Sequence, residues 1–122
     1  MRLLRDVLSP EDLAHWRKIL GEEDSSKPHS ATQRRIQVSR VVNDDTYLAD
    51  QAVAGFQALS QVDRERLLSE VVWQLTCYVE GSITQGGAGK KVRLECGFRL
   101  VKLQENARVI FCVAKPAPKT PG

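Results

Sequence analysis

No stretch of this sequence approaches the roughly 18 consecutive apolar residues that a membrane-crossing helix needs. The opening residues, MRLLRDVLSPEDL, lack the apolar core and small-residue cleavage site of a secretory leader. These two absences make the cytoplasm the expected compartment. Cysteine is scarce, with three residues, Cys77, Cys96 and Cys112. None sits in a CxxC pair and each lies in an apolar run, so all three are expected as reduced, small hydrophobes. Histidine is scarcer still, with only His15 and His29. Neither has a cysteine or histidine at ligand spacing, so no zinc centre is expected. No acid–base pair or nucleophile motif is visible. The sequence therefore predicts a protein that is not an enzyme and takes no cofactor. The glycine-rich stretch ITQGGAGKK, residues 83–91, is not a phosphate cradle. A phosphate loop requires GxxxxGK[ST], and here Val92 follows the lysines. A plain helix-to-strand connection is expected.

What is present is ordinary for a globular domain: 122 residues, 42% hydrophobic and 27% charged, with a net charge of +3. That length supports one modest core. The mild basic excess permits an acidic partner without demanding one.

Punctuation along the chain predicts its elements. In LSPEDLAHWRKILG, Ser9 stands at an N-cap and Pro10 at the first helical position. Glu11 and Asp12 suit the positive end of the helix dipole. Leu13, Trp16 and Leu20 form an apolar stripe, and Gly21 stops the helix. The polar stretch 22–33 reads as a connector. In RRIQVSRVV, Ile36 and Val38 alternate with Arg35, Gln37 and Ser39, which predicts a short strand over 34–42. Asn43 or Asp44 is expected to cap a second helix reaching Ala58. Ser60 caps a third, whose stripe is Leu68, Val71, Val72, Leu75 and Val79. Trp73 lies off that stripe, where cover by another part of the fold is expected ahead of contact with a partner. KVRLECGFRLVKL and RVIFCVAK, joined by QENA, predict a hairpin. The tail, residues 116–122, is proline-rich and expected to be disordered.

The resulting fold class is α+β: three helices, a short strand between helices 1 and 2, and a C-terminal antiparallel β-hairpin. The expected organisation is an N-terminal helical element over 1–21, the connector, a core over 34–115, and the tail.

Strand, helix and capped helix over residues 32–79 resemble the ribbon–helix–helix family of DNA-binding proteins. The resemblance implies a homodimer whose paired strands enter the major groove of double-stranded DNA. Arg35, Gln37 and Ser39 would then meet base edges, where arginine can fork onto guanine and glutamine onto adenine. Arg34 and Arg40 would meet phosphates, as would backbone N–H groups near Ser60. That reading makes the protein a small DNA-binding regulator or a plasmid or phage accessory factor. The alternative is a protein–protein interaction module, an adaptor, assembly factor or inhibitor without nucleic-acid binding. Trp73, the hairpin edge and the glycine loop would then form its contact surface. An ordinary solvated strand in an α+β domain is the plainer account of the polar residues of 34–42 and is preferred to DNA reading.

Overall fold

The structure is a computed structural model that describes residues 1–20, 38–79 and 91–115. The connector, the glycine-rich loop up to residue 90, the tail, and Arg34, Arg35 and Gln37 lie outside the described residues. The described elements are β1 (Arg2–Leu3), α1 (Leu4–Val7), α2 (Pro10–Leu20), a helical segment α3 (38–44) and β2 (Thr46–Leu48). They continue with α4 (Asp50–Ala58), α5 (Gln61–Val79), β3 (Lys91–Arg93), a 3-10 turn (Glu95–Gly97), β4 (Arg99–Glu105) and β5 (Arg108–Ala114).

The α+β class holds, but the sheet is larger than the sequence predicts. Five strands run in the order β1-β2-β5-β4-β3. β2 is parallel to β5, and the other neighbours are antiparallel. The register sets Leu48 against Val113, Val113 against Leu100, and Lys102 against Phe111. Because side chains alternate between faces, Leu48, Leu100, Phe111 and Val113 share one side of the sheet. On that side they join one buried cluster with Leu67, Leu68, Val71 and Leu75 of α5. Tyr78 meets Phe111 edge to face, with ring centroids 4.8 Å apart. Leu4, Trp16 and Leu20 belong to the same cluster.

Two of the predicted caps form. The Ser9 and Ser60 hydroxyls accept from the N–H groups of Asp12 and Asp63, each at 3.2 Å. These bonds satisfy donors that the first helical turn cannot satisfy itself.

Other elements correct the sequence reading. The strand expected over 34–42 is not formed where its residues are described, since 38–44 is helical. Val38 and Val42, four apart, are both buried, and Val41 packs beside them. This is helical spacing, and it outweighs an alternation that the Val41–Val42 pair already breaks. Asn43 and Asp44 therefore end a helix instead of opening one. The next helix begins only at Asp50, after β2, and has no side-chain cap. Its start is set by the sheet, because the Ala49 N–H donates to the Val113 carbonyl at 3.1 Å.

The long first arm of the hairpin is likewise broken in two. Cys96 has φ 61° and Gly97 φ 81°, both in the left-handed region. The kink folds β3 back on β4 and turns Cys96 outward, although alternation places it with Leu94 and Phe98. Those two stay buried. The β4–β5 hairpin forms where QENA predicts it, closed by Asn106 and Ala107 at φ 51° and 61°. Positive φ at both central residues is the requirement of a type I′ turn, whose twist matches the strands.

Candidate functional site

Helix α5 carries two stripes. Leu67, Leu68, Val71 and Leu75 face the core. Val62, Arg66, Ser69 and Trp73, spaced four, three and four apart, fall on another side of the helix. Most of the Trp73 and Val62 side-chain surface faces solvent, 61% and 57% respectively. Among the described residues, these and Met1 are the large hydrophobics that stand exposed. An open groove of about 640 Å³ runs along this stripe, walled by His15 of α2 and by Glu95 of the 3-10 turn.

The groove is held by the packing beneath it. Asp12 of α2 is buried, and its Oδ2 accepts from Nε of Arg64 on α5 at 2.8 Å. Arg64 also donates to the Leu59 carbonyl, so one guanidinium ties α2, α5 and the end of α4 together. At the rim, His15 Nε2 and the Ser69 hydroxyl lie 3.3 Å apart and share a hydrogen bond. Behind α2, the buried Trp16 donates from Nε1 to Asn43 Oδ1 at 3.0 Å, and Asn43 Nδ2 donates to the Ser39 hydroxyl at 3.1 Å. The two tryptophans thus have opposite roles. Trp16 is a core residue with a satisfied N–H, whereas Trp73 is an aromatic plate left in water on a rigid helix.

The electrostatics of the groove are lopsided. Glu65, Glu70 and Glu95 line it together with Arg66 and His15. Among the described lining residues, three carboxylates against one guanidinium leave a local formal charge of −2 with neutral histidine. Glu65 and Glu70 accept from the amides of Gln61 and Gln74 one turn away. None of the three carboxylates has an ion-pair partner among the described residues.

The residues expected to read DNA are not gathered on a described strand. Ser39 and Arg40 lie on α3. Ser39 is half-buried and accepts from Asn43, while Arg40 is exposed. The segment that the ribbon–helix–helix resemblance needs as a strand is helical in its described part. Trp73, the residue singled out for partner contact, is the exposed aromatic of the groove. Sequence reasoning missed Val62, Glu65, Glu70 and Glu95. The spacing of Val62, Arg66, Ser69 and Trp73 was a usable signal for the helix face. Glu95 comes from another element and gave none.

Among the described residues, no group of three His, Cys, Asp or Glu side chains is placed to hold a metal ion. Burial pushes the Cys112 thiol above its ordinary pKa, which disfavours the reactive thiolate. Among the described residues, no helix is long and apolar enough to cross a membrane. Compared with protein-family models, curated proteins and solved structures, the chain matches none.

Proposed function

We propose that this chain is a non-enzymatic protein-interaction module that docks a partner protein in the α5 groove around Trp73. The observation that carries this reading is the exposed indole, held on a regular helix that also exposes Val62 about three turns away. Covering the solvent-facing part of such a ring is worth on the order of 2–3 kcal/mol. Tryptophan is also enriched among the few interface residues that dominate binding energy. A helix tied to α2 and to the end of α4 through Arg64, and to α2 again through Ser69 and His15, presents the ring in a fixed geometry, so little ordering entropy is lost on docking.

The test compares partner recovery by affinity purification for the wild type, Trp73→Ala and Arg40→Ala, each checked for folding by circular dichroism. The expected outcome is a defined partner recovered with the wild type and Arg40→Ala and lost with Trp73→Ala. Duplex binding that falls steeply with added salt and disappears in Arg40→Ala would instead favour the DNA-reading alternative. Recovery that is the same for all three proteins would remove Trp73 from any docking role.

A further inference from the structure

Resting on that reading, we infer that the groove takes a basic, apolar-anchored segment of the partner: one large apolar side chain against Trp73 and a second against Val62, about three helical turns away on α5, flanked by lysines or arginines. The argument is charge complementarity. The chain as a whole carries +3, yet the described lining of the groove carries −2, from Glu65, Glu70 and Glu95 against Arg66. The acidic patch therefore stands against the sign of the molecule. A cationic segment gains no attraction from the net charge of the protein and depends on local carboxylates such as these, which favours specificity.

The geometry suits a cation. Carboxylates and an exposed indole border the same groove, so a guanidinium or ammonium can meet an anion on one side and the face of the ring on the other. The same charge count disfavours a second copy of this chain as the occupant. A two-fold contact would lay one −2 groove on another. It equally disfavours nucleic acid, whose phosphates the three carboxylates would repel.

Tryptophan fluorescence reads the proposal directly, because Trp16 is buried and Trp73 is exposed. The probe is a synthetic amphipathic peptide of leucine and lysine, with a leucine–glutamate peptide of the same pattern as control. The lysine peptide is expected to shift Trp73 emission to the blue and to saturate, and the glutamate peptide to leave it unchanged. In a Glu70→Gln, Glu95→Gln protein the affinity should fall roughly tenfold, since two charge contacts are lost, one at half-buried Glu70 and one at exposed Glu95. Binding to the wild type should also weaken as salt rises. Trp73→Phe, followed by competition against labelled peptide, controls for the probe itself.

Equal affinity of the wild type and the double glutamine protein overturns the basic occupant. So does a blue shift with the glutamate peptide, or no shift with the lysine peptide. If a natural partner is lost in Trp73→Ala but kept in the glutamine protein, the docking face stands and its proposed occupant falls. If neither peptide nor partner depends on Trp73, both fall.

Discussion

Asp12 shows how much one side chain can decide. It lies in the first turn of α2, where an acid is expected to face water and favour the dipole. Instead it is buried to 2% exposure and spans to Arg64. Its Oδ1 has no hydrogen-bond partner, so the pair is bought with an unsatisfied oxygen. Removing one member of such a pair leaves the other charge poorly compensated. Arg64 keeps about a fifth of its side chain in solvent, which softens that penalty. Asp12→Ala is expected to destabilise the fold by about 2 kcal/mol, read as a lower urea midpoint. Adding Arg64→Met should recover part of the loss, because the stranded cation is then gone. A double variant no more stable than Asp12→Ala would show that the pair does not act as argued.

At the scale of elements, the turns are where local sequence and tertiary geometry disagree most. The β4–β5 turn holds both central residues at positive φ, yet the second of them is Ala107. Asparagine tolerates that region, and alanine enters it at a cost set by its Cβ. Ala107→Gly removes the clash and returns some of the gain to the unfolded chain as entropy. The net expectation is a stabilisation of about 0.5–1 kcal/mol, measured by chemical denaturation. The α3 segment makes the complementary point. Its valines have high strand propensity, but Val38 and Val42 reach the core only if the chain coils. The Asn43 bridge between Ser39 and Trp16 then fixes the helix against α2. Burial decided against propensity there, and it left the strand role to Thr46–Leu48. Those three residues were too few to signal a strand alone, and they gain their partners from β1 and β5.

Across the whole molecule, the N-terminal helices and the sheet share one core. Leu4, Trp16 and Leu20 are buried with Leu68, Phe98 and Val113. Cooperative unfolding follows for a domain of this size. In a Trp73→Phe background, Trp16 fluorescence and far-ultraviolet circular dichroism should lose signal at the same denaturant concentration. An earlier fluorescence transition would mean that α2 melts as a separate unit. Charge is also organised at this scale. Arg93 and Arg99 lie directly opposite one another on the sheet face turned away from α5, and neither has an ion-pair partner among the described residues. Two like charges thus meet on that face, while Glu65, Glu70 and Glu95 border the groove that Trp73 lines.

By itself the sequence determined the α+β class, the helices over 10–20 and 61–79, both serine caps and the C-terminal hairpin. Each of these rests on residues within a few positions of one another: a hydroxyl before a helix, a stripe at helical spacing, a turn between alternating runs. It also showed that Trp73 stands off the main stripe. Tertiary structure alone decided that 38–44 coils, that β1 and β2 complete a five-stranded sheet, and that Glu95 joins Glu65, Glu70 and Trp73 around one groove. Those outcomes depend on which distant surfaces meet. Parallel pairing of β2 with β5 joins segments more than sixty residues apart, and contacts across such distances leave no pattern in the neighbouring residues from which to infer them.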